Sequence, residues 1–265
     1  MRIIGAVFAA AALVAASLVP DARPARASGL AGKFSNGFCQ ERFDAAKNEA
    51  FGIDVSDYQG DVDWSAINTK TGVIYAFLRA SYGMTADKSF PGKWEGAGKE
   101  CLLRGAYHYF VEKDDPADQA DKLYQTLKAA GATNPELPVI ADIERGSAVQ
   151  ELCNDSVRAK SFVAKAYAFI TAFEDLWGQR MMIYTSASFW NCLPDSGRIA
   201  RNRELWVAEY TSRPSPEVPA AWSTWRFWQF NDKGRVAGID GDVDADRFNG
   251  SGADLLEFAK ARTTR

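Results

Sequence analysis

The sequence predicts one α/β domain whose parallel strands close into a barrel. Short apolar runs rich in β-branched and aromatic residues alternate with helical segments through the first two thirds of the chain. Acidic residues sit where several of those runs end, which is where a barrel gathers its chemistry. No internal repeat, low-complexity linker or second domain breaks the pattern over the 265 residues.

The first residues are expected to lie outside that fold. Arg2 precedes an almost wholly apolar, alanine-rich run from Ile3 to Val19, and Ala25-Arg26-Ala27 offers the small-x-small pattern that signal peptidase cuts. Residues 1–27 therefore read as a signal peptide, and the apolar run is at the short limit for a membrane-spanning helix. Cleavage removes Arg2, Arg23, Arg26 and Asp21, taking the net charge from −3 to −5. The mature chain then divides into an N-terminal extension, residues 28–50, and a barrel, residues 51–265. No later segment is long enough for a membrane helix, so a secreted or periplasmic monomer without stable membrane insertion is expected. Cys39, Cys101, Cys153 and Cys192 all fall in the exported part, where oxidation is permitted. Four cysteines allow three pairings and spacing alone does not choose among them; the favoured set is Cys39 with Cys101 and Cys153 with Cys192.

Strands are predicted over Phe51–Val55, Val73–Ala80, Gly105–Phe110, Pro138–Ile143, Arg180–Tyr184, Leu205–Ala208 and Arg226–Phe230. The clearest helix runs from Pro116 to Ala130, with Asp115 placed to cap it, Pro116 in its first turn and Gly131 at its stop. A second spans Ser156 to Trp177 and carries Phe162, Val163, Ala166, Phe169, Ile170 and Phe173 at helical spacing. From Trp190 to Trp225 little helix is expected, so the last third reads as strand and loop.

The acids give the barrel its candidate chemistry. Pro138-Val-Ile-Ala-Asp-Ile-Glu144 is a buried strand closed by two acids two residues apart. Alternate strand residues face the same side, so Asp142 and Glu144 project together, their Cα atoms about 6.5–7 Å apart. Asp54 lies inside the apolar strand of Phe51-Gly-Ile-Asp-Val55, where a carboxylate without partners would cost several kcal/mol. Closure of the barrel would set the first strand beside the last and bring Asp54 to Asp244. Crowded carboxyls raise one another's pKa, and a protonated acid beside an ionised one is the equipment for glycosidic cleavage.

Clustered acids can also hold a metal. Asp240, Asp242, Asp244 and Asp246 alternate like the start of a calcium loop, but Ala245 stands at position six and Ser251 at position twelve, where glycine and glutamate are needed. No phosphate-cradling loop accompanies them, and neither a metal nor a cofactor is expected. The single histidine, His108, excludes a multi-histidine metal site and leaves a serine or cysteine triad little support. It is expected to be a hydrogen-bonded structural residue, facing away from Tyr107 and Tyr109. A nearly balanced count of 31 basic and 34 acidic residues argues against nucleic acid as a partner. Tyr107, Tyr109, Tyr184, Trp206, Tyr210, Trp228 and Gln229 lie at or near strand ends and suit the apolar faces and polar rims of sugar rings.

These segments resemble a known family. Gly52-Ile-Asp-Val-Ser-x-x-Gln-Gly60 with Val62-Asp-Trp64, Phe77-Leu-Arg-Ala-Ser81, Gly105-Ala-Tyr-His-Tyr109, Val139-Ile-Ala-Asp-Ile-Glu144, Ile183-Tyr-Thr185, Leu205-Trp-Val-Ala208, Phe227-Trp-Gln229 and Gly238-Ile-Asp-Gly-Asp-Val-Asp244 are similar, in order, to the glycoside hydrolase family 25 lysozymes. The resemblance implies a modified TIM-like barrel, (β/α)5(β)3, with five β/α units followed by three strands. It implies cleavage of the bond between N-acetylmuramic acid and N-acetylglucosamine, with peptidoglycan glycan strands as the partner. It also implies that Glu144 is the general acid/base, that Asp142 assists the substrate's N-acetyl group, and that Asp54 and Asp244 fill the two other acidic positions. Residues 28–50 and the lack of a wall-binding repeat depart from many members. A non-hydrolytic peptidoglycan- or chitin-binding module on the same barrel is the alternative expectation.

Overall fold

The computed structural model describes residues 37–144 and 149–263; the expected signal peptide lies outside the described residues. Helix α1 (Gly37–Ala45) precedes strand β1 (Ala50–Val55). There follow α2 (Trp64–Lys70), β2 (Val73–Tyr82), the short β3 (Thr85–Ala86), α3 (Phe90–Lys99), β4 (Leu103–Tyr109), α4 (Pro116–Ala129) and β5 (Val139–Asp142). Helices α5 (Val149–Cys153) and α6 (Ser156–Trp177) lead to β6 (Met182–Thr185). The single turns α7 (Ala187–Trp190) and α8 (Gly197–Ala200) precede β7 (Leu205–Ala208), β8 (Phe227–Gly234), β9 (Val243–Phe248) and α9 (Gly252–Thr263).

The strand order β1-β9-β8-β7-β6-β5-β4-β2 closes through a β1–β2 pairing, and β3 hangs on β2 as a hairpin. Neighbours from β1 through β8 run parallel, whereas β9 is antiparallel to both β8 and β1. Five strands are each followed by helix and three close the circle, which is the modified barrel expected. The helix capped by Asp115 forms as read: its carboxylate accepts from the amides of Ala117 and Asp118 at 2.8 and 3.2 Å, and Gly131 takes φ +67°. Two one-turn helices interrupt the stretch expected to be strand and loop, and the strand read as ending at Phe230 continues to Gly234.

Alternation along each strand divides the core. Ile53, Leu78, Ala106, Val139 and Ile183 face outward and pack with the helices. Tyr75, Phe77, Ile140, Met182, Trp206, Phe227 and Phe248 fill the barrel. Two glycines make room for this aromatic interior. A Cβ on Gly52 would lie 2.1 Å from the Tyr75 ring, and one on Gly105 would lie 2.6 Å from the Phe77 ring.

The N-terminal end of the barrel is plugged. Phe43 of α1 is fully buried, Leu255 and Leu256 of α9 join the same apolar cluster, and the Gly252 amide donates to the Ala46 carbonyl at 2.7 Å. Disulfide Cys39–Cys101 ties α1 to the turn before β4, and Cys153–Cys192 ties α5 to the loop after β6. Both are the favoured pairs. Residues 37–49 of the extension thus contribute directly to the core.

Candidate active site

Lateral pairing carries the site across the sheet. Tyr109, Asp142, Tyr184, Trp206, Phe227 and Phe248 are successive partners from β4 to β9. Because barrel strands are staggered, this one row descends from the mouth at Tyr109 to the plug at Phe248. Acids and phenols therefore occupy the open end and aromatic rings the floor. On the far side, Asp54 of β1 pairs directly with Asp244 of β9.

Asp54, Asp142, Glu144 and Asp244 converge on one cleft of about 280 Å³ at the C-terminal ends of the strands. Tyr107, Tyr109, Tyr184, Trp206 and Gln229 line it with them. Tyr210, half-exposed on the loop after β7, joins through its hydroxyl, which donates to Gln229 Oε1 at 2.7 Å. Trp228 does not join. It precedes Gln229 on β8, so it faces outward, packs against Leu205 and Val207 and donates from Nε1 to the Glu209 carbonyl at 2.8 Å. Its place among the groove residues is corrected: it is a core residue.

Five lining residues were absent from the expected set: Ser56, Tyr58, Gln59, Arg79 and Tyr82. Arg79 on β2 ion-pairs with Asp87 at 3.0 Å and with Asp57, and lies 5.1 Å from the Tyr58 ring centre. Tyr82 stacks on Tyr109 with centroids 4.5 Å apart and planes 14° from parallel, giving the cleft a flat wall. Tyr58, 85% exposed, stands at the rim on the turn after β1. An arginine inside an apolar strand is the same signal that singled out Asp54, and it could have found Arg79.

Electrostatics separate the acids by depth. Burial, then the Glu144 charge, holds Asp142 well above the usual carboxylate range, against the pull of Arg79. Burial, then Asp244, raises Glu144, and its interaction with the Asp142 carboxyl partly offsets this. Two carboxyls can share a hydrogen bond only by holding a proton between them. Asp54 is likewise pushed well up by burial, Asp244 and Asp246, while Asp244, nearer solvent, is raised to about 6 by burial and Asp232. In each of the two pairs the neighbouring charge opposes simultaneous ionisation of both carboxyls.

Of the calcium-like set, Asp240 and Asp242 are exposed, the latter paired with Arg235 at 2.8 Å, whereas Asp244 and Asp246 face the barrel interior. No cluster of three or more metal-ligating side chains occurs among the described residues. His108 is fully buried behind the sheet, bonded to Ser81 Oγ at 2.8 Å and Gln119 Oε1 at 3.2 Å, and burial lowers its pKa to about 4. It has no access to the cleft.

Residues 53–239 match the model of glycosyl hydrolases family 25. The chain belongs to that family. This family 25 hydrolase is 34% identical over 217 residues to Lysozyme M1 of Streptomyces globisporus, covering 78% of this chain and 70% of that protein. It is 30% identical over 213 residues to the N,O-diacetylmuramidase of Arthroderma benhamiae, covering 79% and 86%. The crystal structure of the bacterial lysozyme from Streptomyces coelicolor superposes with a TM-score of 0.68 at 31% identity, covering 80% of this chain and 98% of that one. Asp54, Asp142 and Glu144 fall inside the family match, and Asp244 lies just beyond it.

Proposed function

We propose that this chain is an exported lysozyme, hydrolysing the β-1,4 bond between N-acetylmuramic acid and N-acetylglucosamine in peptidoglycan. The observation that carries the assignment of roles is the Asp142–Glu144 pair, two interacting carboxyls at the mouth of an aromatic-walled cleft. Glu144, less buried than Asp142, is the member within reach of solvent and substrate. In its protonated form it gives that proton to the glycosidic oxygen as the bond to C1 breaks. The carbonyl oxygen of the substrate's own N-acetyl group takes the vacated position on C1. Asp142, ionised at that moment, accepts the N-acetyl N–H and balances the positive charge. Glu144, now a carboxylate, takes a proton from the incoming water, whose oxygen bonds to C1 and releases the acetamido group.

Tyr82 and Tyr109 supply a stacked wall for the apolar faces of the sugars, and Tyr58 and Tyr210 line the rim. The two disulfides suit an oxidising compartment, and no described helix is long and apolar enough to cross a membrane. The test is release of new reducing ends from purified peptidoglycan. Glu144→Gln should lower the rate by about 10²–10⁴-fold with the fold intact. A wild-type chain that binds several peptidoglycans and cleaves none would establish the non-hydrolytic alternative instead.

A further inference from the structure

Gln229 is an amide at the edge of a sugar cleft, yet its polar atoms are already committed. Its Oε1 accepts from the hydroxyls of Tyr184 and Tyr210 at 2.8 and 2.7 Å. Its Nε2 donates to Asp54 Oδ2 at 2.7 Å, and the residue is only 3% exposed. Turning the amide over would leave the buried Tyr184 hydroxyl without an acceptor and present an oxygen to Asp54 Oδ2. Two tyrosines on separate strand ends therefore fix which end of the amide meets the acid.

We infer that Gln229, locked by Tyr184 and Tyr210, is a positioning residue for Asp54 in the hydrolytic reaction and not a ligand for sugar. This rests on the hydrolase reading above. With Oδ2 held as the acceptor from Gln229, Oδ1 is the oxygen left to meet Asp244, the cross-strand partner of Asp54. Among the described residues, the other titratable groups that interact with Asp54 either discourage its ionisation or would suffer from it. These are Asp244 and Asp246 on β9, Asp142 on β5, and the phenols of Tyr75, Tyr107, Tyr184 and Tyr210. Gln229 acts in the opposite sense: its bond to Oδ2 favours the ionised form of Asp54. Tyr210 brings that influence to the surface: its ring is half-exposed at the rim while its hydroxyl belongs to the buried network.

The test compares Gln229→Leu and Tyr210→Phe with the wild type, measuring kcat, KM and the pH profile of kcat/KM on peptidoglycan. Loss of a hydrogen bond to a charged group corresponds to roughly one pKa unit and about tenfold in rate. Gln229→Leu should lower kcat by about tenfold, leave KM within about twofold, and move a limb of the profile up by about one pH unit. Tyr210→Phe keeps the ring and should shift the same limb the same way, by less. The double variant should be no worse than Gln229→Leu alone, because both act through one network. A raised KM with an unmoved profile in either variant would make these residues sugar ligands and overturn the inference. Should Gln229→Leu fail to fold, Tyr210→Phe decides by the same readouts. An inactive wild type would strike the hydrolase reading itself, whereas an active one with unmoved profiles strikes only this inference.

Discussion

Replacing Asp246 by asparagine tests whether the barrel interior stores protons. Asp246 is fully buried between its cross-strand partners Gly52 and Gln229. Its Oδ1 accepts from Trp206 Nε1 at 2.8 Å, and its Oδ2 has no partner among the described residues. Burial holds its pKa well above the ordinary value, the Trp206 bond opposes this, and the Asp244 charge adds to it. An aspartate in the unfolded chain ionises near 3.9. Between that value and the folded one, the folded chain binds one proton more than the unfolded chain. The difference of protons bound, unfolded minus folded, is then −1, and stability falls by about 1.36 kcal/mol per pH unit. The contribution is complete below about pH 4 and is lost as pH rises toward the folded pKa. Asparagine carries no such proton and keeps the acceptor for Trp206. From pH 5 to pH 7, Asp246→Asn should therefore gain stability relative to the wild type, at up to about 1.36 kcal/mol for each pH unit over which the folded chain keeps the proton. Guanidinium unfolding at the two pH values, with equal m-values, measures it. The same difference from wild type at both pH values would show that Asp246 folds ionised, and the account of the acid cluster would be wrong.

Other perturbations separate the two ends of the barrel. Cys39 and Cys101 close a loop of 62 residues, so Cys39→Ser with Cys101→Ser should cost about 4 kcal/mol on the chain-entropy account. Thermal melting should then drop on the order of 10 °C, with kcat retained below the new midpoint because the cleft is at the opposite end. Arg79→Met removes the cation that lowers Asp142, so the acidic limb of kcat/KM should move to higher pH; an unchanged limb would deny Arg79 that influence. Trp228→Phe loses a buried bond to the Glu209 carbonyl and should cost about 1–2 kcal/mol in denaturant unfolding while leaving KM unchanged, whereas a raised KM would return Trp228 to the groove.

What could be seen in the sequence follows from where apolar pattern and chemistry agree. Asp54, Asp142 and Glu144 stood out because a charge set in or against an apolar run is costly and asks for a reason. Strand β9 was harder to see, since Val243-Asp-Ala-Asp-Arg-Phe248 turns its acids inward where other strands turn rings. A strand that completes a polar site reverses the usual pattern and imitates a metal loop. Trp228 was misplaced although the means to place it was present: it is adjacent to Gln229, and neighbours on a strand cannot both face the barrel interior. Helices α1 and α9 gave no such signal. Their burial depends on one another, through the Ala46–Gly252 contact and the cross-link at Cys39, and neither is legible from one segment alone.

The plug and the acids belong to one design problem. Asp54, Asp142 and Asp246 are all raised by burial, so each draws stability down with rising pH in the same sense. A barrel that crowds carboxyls at one end must gain elsewhere, and the other end is where the aromatic interior, the α1–α9 plug and the Cys39–Cys101 bridge are found. The two ends should therefore be coupled through stability and not through geometry. Adding Asp246→Asn to the chain lacking Cys39–Cys101 should restore at pH 7 part of what the disulfide contributed and much less at pH 5. Equal recovery at both pH values would mean that the burden on the barrel is not protonic.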